Sequence, residues 1–255
     1  MLPDRYFSNK KLLIFDKDDT LTDTKSPIDA EVAEVFAGLI GKFTVAIISG
    51  SSWSVINDQV VELLPKDTEL KQLYVLPASG SQLLTYDQSN DWRYVFDHSI
   101  DQSDFESIKT LLLEAFKALP DDLKPRQVYS DQVEYRVGQI TMSVLGQEAP
   151  RERKKAWDPD RTKRQIMVEY LGSRLTGFDI KIGGSTSIDI TNQGVNKKSG
   201  VLKLLKHLNM SPEQAVYFGD SFGKNGNDDI VREISELDTV EVANHHKLLK
   251  IISQL

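Results

Sequence analysis

Three short apolar runs, LLIF at 12–15, VAII at 45–48 and AVYF at 215–218, each stop abruptly at polar chemistry. The first ends in Asp16, the second in Ser49 and Gly50, the third in Gly219 and Asp220. Such runs are too short for helices and the right length for strands buried on both faces. A carboxylate beside a core is costly unless it is used or partnered. In open parallel sheets, ligands bind beyond the carboxyl ends of the strands, so these termini converge by topology although they are distant in sequence.

The rest of the chain supplies the helices such a sheet needs. A helical pattern is expected at 29–39, another near 54–64, and a strand at 74–76. After Lys197 the same alternation returns, with a helix to 207, the strand at 215–218, a helix after Asn227, a strand at 239–242 and a terminal helix from about His245. Near Asp87 the texture changes to QSND turn chemistry and hairpin-like stretches at 92–96, 133–145 and 179–191, interleaved with helices at 103–118 and 162–171. That is the pattern of an antiparallel sheet backed by helices. The expected fold class is therefore α/β: a parallel-sheet core built from 1–86 and 188–255, with an α+β domain inserted at 87–187.

Composition is compatible with this. The chain has 255 residues, 40% hydrophobic and 27% charged, enough for a large core with an insertion. The absence of cysteine excludes disulfides, a thiol nucleophile and cysteine-bound zinc, and makes a reducing cytoplasm the expected setting. Lys10 and Lys11 precede an apolar run in the manner of a signal peptide, but Asp16 ends that run at once. No stretch is long enough to span a membrane. A net charge of −7 opposes nonspecific nucleic-acid binding. One segment runs against that trend: 148–164 carries seven Lys or Arg against four acids and could attract an anionic substrate. The four histidines, at 98, 207, 245 and 246, have no ligand spacing that matches a site at the strand ends.

Within FDKDDTLT, Asp16 and Asp18 stand two apart. In an extended segment they face one site while Lys17 points elsewhere. Close carboxylates repel unless a cation lies between them, and a hard, oxygen-seeking ion such as magnesium (Mg2+) is the expected cofactor. Lys197 opens a helix, where the dipole disfavours a cation; a bound phosphate would give it a partner.

Asp16, Asp18 and Thr20 as DxDxT, a strand ending in Ser49, a lysine at 197, and Gly219, Asp220, Gly226, Asn227 and Asp228 as GD followed by GND resemble, in order, the four motifs of the haloacid dehalogenase (HAD) superfamily. The inserted segment corresponds to the mixed α/β cap of the type IIB branch. The chain is further similar to the eukaryotic-type phosphomannomutase family: Asp220 is followed by six residues, 221–226, and then Asn227 and Asp228; VEYRVGQITMSVLGQ at 133–147 matches a cap segment of that family; and STSIDIT places Ser187 and Asp189 as sugar-binding candidates. Three family arginines fall at Lys25, at Gln147 and near Arg153 or Lys154, while Arg136 is retained. Arginine grips phosphate bidentately, lysine is a point charge and glutamine is neutral, so these departures weaken a second phosphate site.

The resemblance implies Asp16 as nucleophile and Asp18 as general acid and base. Mg2+ would be held by Asp16, the backbone carbonyl of Asp18, Asp220 and, in a supporting role, Asp228. Ser49, Gly50 and Lys197 would bind phosphate; Lys25, Arg136, Gln147, Lys154, Ser187 and Asp189 would bind substrate. On the residues alone, Arg136 is equally placed to pair with Glu134 or Asp131. A sugar-phosphate phosphatase is the expected function. The alternatives are a phosphomannomutase and a noncatalytic phosphate-binding module, and a homodimer through the cap is a further expectation.

Overall fold

The computed structural model describes residues 7–223 and 226–255. The chain divides into two compact units, one formed by both ends, 1–97 and 196–255, the other by 98–195.

The first unit is a sheet of seven strands in the order β11-β10-β1-β2-β3-β4-β5. Its parallel part comprises β1 (Leu12–Asp16), β2 (Thr44–Ile48), β3 (Leu73–Leu76), β10 (Ala215–Gly219) and β11 (Asp238–Glu241). β4 (Gln82–Tyr86) and β5 (Trp92–Asp97) add antiparallel at one edge. Successive side chains alternate between faces, and both faces are covered, which is why these strands read as unbroken apolar runs. Leu13, Phe15, Val45, Ile47, Val216 and Phe218 pack on one face with Val32, Phe36 and Leu39 of α1 (Ala30–Ile40) and Leu248 and Ile252 of α7 (His245–Ile252). Phe15 stacks on Phe218 at 4.7 Å. Leu12, Ile14, Ala46, Ile48, Ala215 and Tyr217 pack on the other face with Val201, Leu204 and Leu205 of α6 (Lys197–Leu208). By the same parity Asp16 follows Leu12 and Ile14 onto the α6 face.

The second unit is a four-stranded antiparallel sheet, β6 (Val133–Tyr135), β7 (Gln139–Ser143), β9 (Ser187–Asn192) and β8 (Phe178–Gly183), in that order. Ile140, Met142, Ile188 and Ile190 pack with Ile108 and Leu112 of α3 (Gln102–Ala118) and Met167 and Leu171 of α5 (Thr162–Gly172). Alternation therefore puts Gln139, Thr141, Ser143, Ser187, Asp189 and Thr191 on the opposite face of β7 and β9.

The structure moves both boundaries expected from sequence. The QSND stretch closes a β4–β5 hairpin, with Asp87 Oδ1 accepting the N–H groups of Ser89 and Asp91, so 87–97 belongs to the first sheet. At the other end β9 runs to Asn192, inside the four-stranded sheet. Two helices are also shorter than their periodicity implied. Among 54–64 an α-helix, α2, covers Trp53–Gln59 and a 3-10 turn Val61–Leu63, and after Asn227 a 3-10 segment covers Asp229–Glu233. The basic run is likewise not wholly solvated: α4 (Arg151–Trp157) lies within it, and Arg164 is 1% exposed. Arg164 donates from Nε to Asp158 Oδ2 at 2.7 Å and from its guanidinium to the carbonyls of Gly183, Gly184 and Ser187. It is a strut under the β8–β9 turn, unavailable to attract an anion.

Candidate active site

Register explains why the polar strand ends meet. In β1 and β2, Asp16 pairs with Ile48, so Ser49 stands one residue beyond; in β1 and β10, Phe15 pairs with Phe218, so Asp220 likewise follows just past the level of Asp16. β1 lies between strands reached from opposite directions along the chain, the switch point at which open sheets form their crevice.

Asp16, 4% exposed, accepts from Lys197 Nζ at 2.6 Å, and the same ammonium donates to Asp228 Oδ1 at 2.6 Å. Lys197 is the first residue of α6, whose amide ends are satisfied by an Asn196–Ser199 capping box. The carboxylates supply the stabilisation that the helix dipole withholds from a cation there, so a phosphate is not needed to explain the residue. The start of α6 comes close to the turn after β3, where a Cβ on Gly200 would lie 2.8 Å from Gly80 Cα. Only glycine at both positions permits that approach.

Asp228 is held on three sides, with Tyr217 donating its hydroxyl to Oδ1 at 2.6 Å and Ser221 its amide to Oδ2 at 3.0 Å. Tyr217 reaches it because residue 217 faces α6. Lys224 and Asn225, within the spacer 221–226, lie outside the described residues.

Asp18 arrives by a different route from the one alternation implied. β1 ends at Asp16, and Asp18 sits in a tight turn that closes on Thr22, with Asp19 at φ 59°. Lys17 does not point away: it is buried, and its ammonium donates to Asp18 Oδ1 at 2.9 Å and to Gln59 Oε1 at 2.8 Å. The amide of Lys25 donates to the same Asp18 oxygen at 2.8 Å, while the Ser49 hydroxyl stands 3.5 Å from Oδ2, the outer limit for a hydrogen bond. Ser49 is itself locked, its Oγ accepting from the Ser51 amide and its carbonyl from the Ser79 amide. Gly50 follows it at the end of β2, with the Ser79 hydroxyl alongside.

One oxygen from each of Asp16, Asp220 and Asp228 lies within 4.8 Å of the others. Burial pushes Asp16 up to about 7; Lys197 pulls it down, and Asp228 and Asp220 push it up again. Burial, then Asp228 and Asp19, raise Asp220 to about 6. Burial opposes the charge of Lys197, but Asp16 and Asp228 outweigh it and hold the ammonium above its ordinary range. Tyr217 is pushed well up by burial and by the same two acids, so its hydroxyl stays a donor. Three carboxylates against one ammonium leave a negative excess that a divalent cation would relieve, and an all-oxygen donor set suits a hard ion. The side chain of Asp18 is not in this cluster.

The fold agrees with what comparison finds. The family of haloacid dehalogenase-like hydrolases matches residues 13–227. The chain belongs to that family. As a haloacid dehalogenase-like hydrolase it is an enzyme of phosphoryl transfer. It is 26% identical over 244 residues to phosphomannomutase 2 of Dictyostelium discoideum, covering 93% of this chain and 88% of that protein. It is 25% identical over 254 residues to a phosphomannomutase of Dendrobium officinale, covering 94% and 95%. In fold it is similar to the IMP-nucleotidase of Plasmodium falciparum, TM-score 0.70 at 18% identity, over 98% of this chain and 70% of that one. It is also similar to a haloacid dehalogenase-like hydrolase of Bacteroides thetaiotaomicron, TM-score 0.64 at 15% identity, over 96% and 99%.

The remaining candidates of this hydrolase lie in its second unit, apart from Lys25, and several are already engaged. Arg136 donates to Glu134 Oε2 at 2.8 Å. Gln147 donates its side-chain amide to the Gln132 carbonyl, and its own carbonyl accepts Lys154 Nζ at 2.7 Å. Asp189 Oδ1 accepts from Thr141 at 2.8 Å, and Thr141 from Gln139 at 3.0 Å. Burial raises Asp189, with the Thr141 hydrogen bond opposing. A Cβ on Gly183 would lie 2.2 Å from Asp189 Oδ2, so glycine makes room for that carboxylate. Ser187 pairs with Ser143 on one side and Gly183 on the other.

Sequence reading missed Lys17, Gln59 and Tyr217. Tyr217 had a usable signal, since its parity within AVYF matches that of Asp16 on a neighbouring strand. Lys17 and Gln59 had none, because their pairing depends on a turn and a helix separated in sequence.

Proposed function

We propose that this enzyme hydrolyses a phosphorylated sugar through an aspartyl-phosphate on Asp16, with Mg2+ as cofactor. The observation that carries the reading is the double contact of Lys197 with Asp16 and Asp228 at the C-terminal edge of the sheet. A carboxylate oxygen of Asp16 attacks phosphorus and forms an acyl-phosphate bond as the sugar oxygen leaves, splitting one difficult displacement into two easier ones. Asp18, held by Lys17 and the Lys25 amide, gives the leaving oxygen its proton and then takes one from the water that attacks phosphorus, breaking the bond to Asp16 and releasing inorganic phosphate. Lys197 and Ser49 bind the transferring group, each contributing roughly 3 kcal/mol to lowering the barrier by analogy with oxyanion-hole donors. Asp228 keeps the Lys197 ammonium in place, and Tyr217 keeps Asp228 in place. Asp16 and Asp220, with the Asp18 carbonyl and Asp228 supporting, would hold Mg2+, which would supply charge neutralisation at phosphorus.

Hydrolysis is preferred to mutation because a mutase must hold a second phosphate. The residues available for that are Arg136 paired to Glu134, Lys154 on a carbonyl, and a neutral Gln147. The mutase reading draws on the identity with phosphomannomutases along nearly the whole chain. Asp189 and Ser187 are assigned to sugar hydroxyls. A cysteine-free chain suits a reducing cytoplasm, and no described helix is long and apolar enough to cross a membrane. The test is to incubate the protein with Mg2+ and mannose 6-phosphate, and separately with mannose 1-phosphate and a hexose bisphosphate. Release of inorganic phosphate supports hydrolysis; exchange between the isomers replaces it with mutation; neither, across a panel of sugar phosphates, defeats both. Activity surviving in Asp16→Asn would overturn the nucleophile.

A further inference from the structure

A second group of ligating side chains shares no residue with the acid cluster at the end of β1. Asp29, at the N-terminal boundary of α1, and His245 and His246, the first two residues of α7, bring one carboxylate oxygen and one nitrogen each within 4.8 Å of one another. α1 and α7 pack side by side on the same face of the sheet, so two distant parts of the sequence meet there.

The bonding of His245 is incomplete. Its side chain is 5% exposed, and neither ring nitrogen has a hydrogen-bond partner among the described residues. Asp29 Oδ2 is 3.0 Å from Nε2 and Asp23 Oδ1 is 3.4 Å from Nδ1, within ion-pair range but out of line for hydrogen bonds. A buried polar group without a partner is costly and rare. Asp29 is also idle where it stands. It occupies the N-cap of α1 yet its carboxylate caps nothing, although aspartate there normally accepts an amide of the first turn. Asn244 performs that task for α7, accepting from the Lys247 amide.

We propose that Asp29, His245 and His246 form a binding site for a borderline transition-metal dication of the Zn2+, Co2+ or Ni2+ type, separate from the phosphoryl-transfer site. Imidazole nitrogens with one carboxylate are the donor set such ions select, whereas the hard ions prefer oxygen alone. Two ligand atoms each about 2.1 Å from one tetrahedral ion are about 3.4 Å apart, so the observed Nε2 to Oδ2 separation of 3.0 Å needs to open by only a few tenths of an ångström to admit one. Coordination through Nε2 would leave Nδ1 facing Asp23, the carboxylate that a ligating histidine commonly has behind it to fix its ring. His246 is exposed, so an ion can enter from solvent. The site would tie α7 to the loop 23–29, whose Lys25 amide holds Asp18.

The probe is Co2+, added to the full-length protein in excess Mg2+ so that the acid cluster is already filled, and followed by visible d–d absorption and by metal analysis after gel filtration. One equivalent of Co2+, displaced by Zn2+, is expected. His246→Ala and Asp29→Asn, both changes of exposed side chains, should each weaken binding by about 100-fold, and Asp23→Asn by about tenfold. Absence of Co2+ binding under excess Mg2+ would overturn the site and leave His245 merely ion-paired between Asp23 and Asp29. Binding unchanged in His246→Ala with unchanged circular dichroism would do the same.

Discussion

The ammonium of Lys197 donates to Oδ1 of Asp16 across 2.6 Å, joining the first residue of α6 to the last residue of β1. Because the same nitrogen also binds Asp228, replacing it removes the counter-charge of two buried acids and a donor to phosphate at once. Lys197→Met should lower kcat by about 100- to 1,000-fold, the range for loss of one positioned donor, measured as phosphate release from an aryl phosphate. A loss under tenfold would show that Lys197 only balances charge.

Asp16 and Asp220 should make Mg2+ stabilisation depend on pH. Their folded-state pKa values, about 7 and about 6, are raised above the unfolded range by burial first, so the folded state binds protons more tightly than the unfolded one. Without an ion, stability from these groups is present at low pH and is lost as pH rises from about 4 to about 7. The proposed Mg2+ would bind the ionised forms, so its increase in Tm should be large at pH 8 and small at pH 4.5. Thermal melts with and without Mg2+ across that window check this, and an increase independent of pH would contradict it.

Tyr217→Phe removes one donor to Asp228 while keeping the ring packed against the α6 face. Stability should fall by about 1 kcal/mol, the loss typical of one hydrogen bond, and kcat should fall more than KM rises. Urea unfolding and steady-state kinetics on one preparation separate the two effects.

Arg164 and Asp158 are a fully buried pair, 1% and 0% exposed at their side chains. Arg164→Met strands a carboxylate in the second unit and should cost about 3 to 5 kcal/mol there, whereas adding Asp158→Leu should restore part of it. With two compact units, fluorescence and circular dichroism melts should cease to coincide in the single variant.

Gly183→Ala places a methyl where the Asp189 carboxylate now lies. If Asp189 recognises the sugar, KM for sugar phosphates should rise about tenfold or more, the discrimination expected when a site's hydrogen-bonding group is displaced. Turnover of a small aryl phosphate, which has no sugar hydroxyls, should stay within about twofold. Parallel losses on both substrates would assign Gly183 to folding alone.

The runs at 12–15, 45–48 and 215–218 were sufficient to place three parallel strands, because a strand buried on both faces must be apolar throughout and its polar terminus must lie at an edge. The same logic put Asp16, Ser49 and Asp220 at neighbouring strand ends. The pattern of residue types at 87–97 was not sufficient: turn chemistry marks a hairpin equally well whether it closes a domain or extends a sheet, and only pairing with β4 decides. Alternation likewise failed at Lys17 and Asp18, because a strand's period stops where its hydrogen bonds stop, at Asp16. The bonds of Lys197 to Asp16 and Asp228, of Tyr217 to Asp228, and the meeting of Asp29 with His245 and His246 depend on packing between helices and strands far apart in the chain. Sequence periodicity carries which face a residue takes; which partner stands opposite is decided by tertiary structure, since that partner is brought there by the whole sheet.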